Sequence, residues 1–234
     1  MAGYRCDWRI IMSAARTETH SKRPSVNLRA RRRYLILSLT VLIVAVFFSL
    51  FHPKPDHPTV FFGHPIRPAK TAYNFQLTDQ DGAVIRLSQW KGKVVLFSFG
   101  FTHCPNVCPT TLTNLVDVFR ALPASDRNRV HIAFISVDPR RDVSAQLKNY
   151  LSYFDPAFVG LSGPKEEIDR ATAAFGASYS FVHSPSDPAD DYSVMHSANV
   201  YLINPKGAWE IIYDVQQLQE PARVAEDIES VLHE

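Results

Sequence analysis

Cysteine is scarce in this chain: three in 234 residues, with Cys6 alone near the N-terminus and Cys104 and Cys108 close together. That count excludes a multi-disulfide scaffold. A basic folded domain is missing too. Residues 1–33 carry nine Lys or Arg against Asp7 and Glu18, a net +7, so with an overall charge of +2 the remainder sums to −5. Positive charge confined to a tail argues against a nucleic-acid-binding face. Charge is absent altogether from Leu35 to Phe51, seventeen residues reading LILSLTVLIVAVFFSLF. No A-x-A-like cleavage site follows at Ser49–His52, which disfavours a cleaved signal peptide, and the run lacks the polar face of a core helix.

What is there begins with that run. It lies at the short end of the roughly 17–25 residues needed to span a bilayer. Arg29, Arg31, Arg32 and Arg33 precede it, and Lys54 is the only nearby base after it. The positive-inside rule then keeps the N-terminus in the cytoplasm and exports the rest. The expected organisation is a basic cytoplasmic tail (1–33), a transmembrane anchor (34–51), a Pro/His-rich linker (52–69) and a folded domain (70–234). The linker, HPKPDHPTVFFGHPIRPA, holds five prolines and three His-Pro pairs. It favours extended geometry, with His52, His57 and His64 solvated.

The domain reads as α/β. Asn74–Leu77 and Val84–Leu87 alternate around Asp81-Gly82, a hairpin signal. Val94–Phe99 and Val130–Val137 are nearly continuous apolar runs, as expected of strands covered on both faces. Leu112, Leu115, Val116 and Phe119 recur at helical spacing. Asp142 is expected to cap a helix reaching Phe154. A strand over Phe158–Leu161 follows, then a helix from Pro164 to Phe175 stopped by Gly176. Ser197–Ile203 and Ala208–Tyr213 flank Asn204-Pro-Lys-Gly207 as a second hairpin, and a last helix starts near Pro221. This order predicts a thioredoxin-like fold with an N-terminal β-hairpin.

The segment that carries chemistry is Gly100-Phe-Thr-His-Cys-Pro-Asn-Val-Cys-Pro-Thr-Thr111. It joins a buried strand to a helix, at the sheet edge where α/β sites are built. Residues before proline avoid the α region, so Cys104 and Cys108 are expected to be extended or cap-like. Pro109 suits the first helical position, which makes Cys108 the N-cap. A disulfide and a shared metal ion are both open to this pair, since helix N-terminal amides favour the thiolate. A purely structural disulfide restrains little chain over so short a loop.

Two thiolates make a soft site apt for Cu(I), and imidazole suits copper as well. Among nine histidines, His196 in Tyr192-Ser-Val-Met-His-Ser-Ala198 is the candidate third ligand. It stands at the start of an antiparallel strand, hence at the edge that carries the cysteines. His103 adjoins Cys104, and such neighbours usually point apart; His183 sits in a Ser/Pro/Asp loop. Asp138 follows the second buried strand at the same edge. It is expected to orient His196, to contact a partner, or to form the turn before Pro139. Zinc ordinarily asks for four ligands, and three are offered.

These residues resemble the Sco/SenC family of copper chaperones over about residues 70–234. Cys104-Pro-x-x-Cys108-Pro, Val137-Asp-Pro-Arg-Arg-Asp142 and Tyr192-x-Val-x-His196-Ser look like three of its signatures, in order. The resemblance implies Cu(I) and Cu(II) held by Cys104, Cys108 and His196. It also implies a redox pair in Cys104 and Cys108, and help in building the dinuclear copper centre of cytochrome c oxidase. The implied partners are that oxidase's copper-binding subunit and a copper donor. Where the family commonly has an acidic residue before the histidine, this chain has Met195, which strand alternation points away from His196's face.

Two other classes compete. A thiol-disulfide oxidoreductase typically uses C-x-x-C and a proline before the facing strand; here the spacing is C-x-x-x-C and no proline occurs from Asp190 to Ile203. A peroxiredoxin wants Thr or Ser three residues before its cysteine, and Pro105 stands there relative to Cys108. A non-catalytic copper or redox sensor is the third class. The expected location is a bacterial inner membrane with the C-terminal domain in the periplasm. The alternative is a mitochondrial inner membrane, facing the intermembrane space.

Overall fold

The computed structural model describes residues 28–51, 60–183 and 192–233. Two compact units divide at His57/Pro58. In the first, helix α1 (Leu28–Phe51) holds the whole uncharged run. Among the described residues no helix is long and apolar enough to cross a membrane. The side chains of Leu35 and of residues 45–51, nearly half of that run, lie outside the description. His52 and His57 of the expected linker lie outside it as well.

The second unit runs β1 (His64–Thr71), β2 (Gln76–Asp79), β3 (Val84–Arg86), β4 (Val94–Gly100), α2 (Val107–Ala121), β5 (Val130–Ser136), α3 (Ser144–Leu151) and β6 (Val159–Ser162). It continues with α4 (Lys165–Ala174), β7 (Tyr179–His183), β8 (Tyr192–His196), β9 (Val200–Ile203), β10 (Ala208–Tyr213) and α5 (Pro221–Leu232). Eight strands form one sheet in the order β1-β10-β9-β4-β5-β6-β2-β3, and β7 with β8 form a separate ribbon. The central β4, β5 and β6 are parallel, while β9 runs antiparallel beside β4.

Side chains alternate across a strand, so each central strand feeds two cores. Val94 and Leu96 of β4 join Ile132 and Phe134 of β5 against α2, α3 and α5. Val95, Phe97 and Phe99 join Ala133 and Ile135 against Ile168 and Ala171 of α4. Burial on both faces is why these strands read as nearly continuous apolar runs. The hairpin β9–β10 turns through Gly207 at φ +84°, a region open to glycine. Asn204 Oδ1 accepts from the amides of Lys206 (3.0 Å) and Ala208 (2.9 Å) within that turn.

Four boundaries differ from the sequence reading. The chain joins the sheet as β1 from His64, inside the span expected to be linker. Its prolines are tolerated because β1 is an edge strand, and its register breaks between Pro65 and Lys70. His64 lies on this strand with Nε2 3.4 Å from Asp214 Oδ2, exposed rather than free of partners. Helix α2 starts at Val107 with Asn106 as N-cap, so Cys108 is its second residue and Pro109 its third. Amides in a first turn have no intrahelical acceptor, so proline loses nothing at the third position. Asp142 does not cap α3; Val143 is the N-cap, and the Asp142 carboxylate is buried elsewhere, as described below. Finally, the strand expected from Ser197 to Ile203 is broken. His196 ends β8 and β9 begins at Val200.

Candidate metal centre

Strand β4 delivers the chain to the site. Gly100, its last residue, sits so close to α2 that a Cβ there would lie 2.6 Å from Cys108 Sγ and 2.6 Å from the Phe134 ring. Only glycine leaves room for the sulfur. The chain then turns, with Cys104 N donating to Phe101 O at 3.2 Å, and enters α2. Cys108 is 3 % exposed, whereas Cys104 is half-buried. Both are free thiols.

His196 arrives from the other side on β8. Its Nε2 lies 3.2 Å from Cys108 Sγ. Its Nδ1 lies 2.9 Å from Ser197 O. A carbonyl only accepts, so Nδ1 carries the proton and Nε2 presents its lone pair to the sulfurs. The Phe101 ring stands edge-on to the imidazole at 5.8 Å. The ligand atoms of Cys104, Cys108 and His196 all fall within 4.8 Å of one another, and among the described residues no other group of three His, Cys, Asp or Glu does so. The three residues are positioned to bind a metal ion. Loss of the continuous strand did not move His196 from the cysteine edge, because the ribbon lies over that edge.

Electrostatics divide the two sulfurs. The Cys108 thiol hydrogen bonds to Cys104 and lowers the Cys104 pKa to about 4, against a desolvation penalty. The amides of Cys108 and Asn106 add to the lowering. The same pairing, together with burial, pushes Cys108 up. At neutral pH the pair holds one thiolate, on Cys104, and one proton, on Cys108, shared between the Cys104 sulfur and the imidazole. Nearby, the Tyr150 hydroxyl is raised by burial first and by the charge of the cysteines next.

Asp138 is fully buried. It accepts from Tyr192 OH at 2.8 Å and from Arg141 Nε. It does not orient His196 directly, because the imidazole Nδ1 is taken by Ser197, and it has no surface to offer a partner. It meets His196's strand through Tyr192 instead. His103 points away from the sulfurs, its Nδ1 3.1 Å from Thr102 Oγ1 and 3.8 Å from Asp142 Oδ1. His183 is exposed at the end of β7. Met195 is 66 % exposed between buried Val194 and half-buried His196, so alternation turns it off the ligand face as expected. Gly100, Thr102 and Arg141 also shape the site, and none of them stands out as a site residue in the sequence. A glycine closing an apolar strand is the one signal that could have flagged the first.

Known proteins resemble this chain in sequence and fold. The SCO1/SenC family model matches residues 64–233. The chain belongs to the SCO1/SenC family. A Stutzerimonas stutzeri relative is 40% identical over 133 residues, covering 57% of this chain and 64% of its own length. The mouse protein SCO2 homolog, mitochondrial, is 40% identical over 141 residues, 60% of this chain and 54% of the mouse protein. The chain thus spans between about half and two thirds of these relatives. Among solved structures, Bradyrhizobium japonicum ScoI with copper bound superposes at a TM-score of 0.62 and 38% identity, covering 68% of this chain and 98% of that one. The mixed α/β, thioredoxin-like fold expected from the sequence is the one this chain shares with that structure.

Proposed function

We propose that this chain is a membrane-anchored copper metallochaperone whose Cys104, Cys108 and His196 hold one copper ion. Its role on this reading is to assist assembly of the dinuclear copper centre of cytochrome c oxidase. The observation that carries the reading is the convergence of two sulfurs and a correctly tautomerised imidazole within 4.8 Å. Two thiolates hold Cu(I), and adding a nitrogen suits Cu(II). The copper-bound ScoI relative supports the choice of metal.

Loading follows from the charge state. Cu(I) meets the Cys104 thiolate first, and binding at Cys108 expels that residue's proton, so each ion taken up at neutral pH releases about one proton. His196, half-buried beside an open pocket lined by Ser178, Tyr179, Ser180 and Met195, leaves one side accessible to a donor or client. The uncharged run over 34–51, with arginines before it, supports anchoring with the domain exported. A bacterial inner membrane is the favoured location. The mitochondrial relatives support the alternative, a mitochondrial inner membrane.

The lowered Cys104 thiol beside a protonated Cys108 favours a second reading, a reductase of client cysteines. Exchange through Cys104 and closure by Cys108 would pass two electrons to a client disulfide and leave Cys104 and Cys108 joined. His196 separates the two readings, since dithiol exchange does not use it. A deletion strain should lose copper-oxidase activity, and His196→Ala should fail to restore it. Full restoration by His196→Ala, with none by Cys104→Ala, would favour the reductase.

A further inference from the structure

The two halves of the site come from different sheets. Cys104 and Cys108 belong to the β4–α2 junction, while His196 belongs to a ribbon whose strands pair only with each other. One segment, residues 137–142 between β5 and α3, touches both. On the thiol side, Asp142 Oδ2 accepts from Thr102 N at 2.9 Å and from Ser136 Oγ at 2.6 Å, and Oδ1 accepts from Thr102 Oγ1 at 2.7 Å. Thr102 lies two residues before Cys104. Val137 N donates to Gly100 O at 2.8 Å, tying the same segment to the glycine under Cys108.

On the imidazole side, Arg141 does the joining. Its Nε donates to Asp138, its Nη1 donates to Tyr192 O at 2.9 Å, and its guanidinium lies 3.8 Å from the Tyr192 ring centre. Tyr192 OH closes the loop onto Asp138 at 2.8 Å. Tyr192 begins β8, and His196 ends it. The two arms are joined through the backbone, where Asp142 N donates to Asp138 O at 2.9 Å.

We propose that segment 137–142 is a two-armed brace that sets the distance from the dithiol to His196, with Arg141 the positioning residue for the imidazole arm. A planar guanidinium can reach a carboxylate and a carbonyl at once while stacking on a ring, which lysine cannot. The inference rests on the copper-binding reading for its consequence, not for its geometry. Cu(II) depends on the imidazole, so it is the ion that feels the arm; Cu(I) is held by the two sulfurs alone in near-linear coordination.

The test compares wild type, Arg141→Ala, Arg141→Lys and His196→Ala in the reduced full-length protein. Arg141→Ala should weaken Cu(II) by about 10–100-fold, the usual loss when a group that orients a ligand is removed. Nitrogen coupling in its Cu(II) electron paramagnetic resonance spectrum should fade toward that of His196→Ala. Cu(I) affinity should change less than about threefold, since both sulfurs remain. Arg141→Lys should recover part of the Cu(II) loss. Without copper, amide exchange of Ser193 and Met195, whose amides face β7, should quicken in Arg141→Ala while that of β9 does not. An equal loss for both ions, an unchanged Cu(II) spectrum, or unchanged β8 exchange would overturn the brace. Failure of the wild type to bind copper would instead overturn the proposed function, and the exchange measurement would still decide the brace.

Discussion

The charge division between the two sulfurs makes a prediction about reactivity. Cys104 sits at about 4, chiefly because the Cys108 thiol hydrogen bonds to it. An ordinary thiol near 8.5 is only about 0.3% thiolate at pH 6 and gains almost tenfold per pH unit up to 8. Cys104 is already almost wholly thiolate at pH 6. Its absolute rate is not the diagnostic, because nucleophilicity falls with pKa at a Brønsted slope of about 0.4–0.5; over some 4.5 units that removes about 100-fold. Most of the roughly 300-fold gain in thiolate is cancelled. The slope is what survives. Alkylation of copper-free protein by iodoacetamide, read by mass spectrometry at Cys104, should vary less than about twofold from pH 6 to 8 and fall only as pH drops toward the thiol's own value. Cys108→Ala removes the principal donor and should restore a rising profile. A tenfold increase per pH unit in the wild type would refute the division of charge.

Other expectations are simpler. Gly100→Ala places a methyl 2.6 Å from Cys108 Sγ. It should cost about 1–3 kcal/mol, as overpacked cores do, and weaken copper binding; urea unfolding and a copper titration would check both, and an unchanged protein would count against the close approach. Met195→Ala, at an exposed position off the ligand face, should leave the copper stoichiometry intact. In cells, a reporter fused after Glu234 should be exported, and Cys6 should be labelled only from the side opposite Cys104 and Cys108. Labelling all three from one side would contradict the anchor.

Much of this was legible in the chain, for identifiable reasons. Strands β4 and β5 declared themselves because both faces are buried, leaving Ser98 as the single polar residue in Val94–Phe99. The hairpins declared themselves through Asp81-Gly82 and Asn204-Pro-Lys-Gly207. The candidate ligands were legible because soft donors are few: two close cysteines and one histidine at the same sheet edge. Boundaries set by tertiary contact were not legible. Prolines in residues 64–69 speak against a strand until a neighbour, β10, offers an edge to pair with. Asp142 has the chemistry of a helix cap, and only the fold reveals that Thr102 and Ser136 claim it. The break after His196 has no breaker residue in Ser197-Ala-Asn199. Arg141 reads as an ordinary charged loop residue until Tyr192, fifty-one positions later, is seen beneath it.

The central claim is that Cys104, Cys108 and His196 together hold copper. X-ray absorption at the copper edge, on full-length protein loaded with one equivalent of Cu(II), tests it most directly. Two sulfur scatterers and one imidazole should surround the ion in the wild type, with the imidazole contribution lost in His196→Ala and a sulfur lost in each cysteine variant. A shell of nitrogen and oxygen alone, unchanged by those three substitutions, would place copper elsewhere and contradict the account.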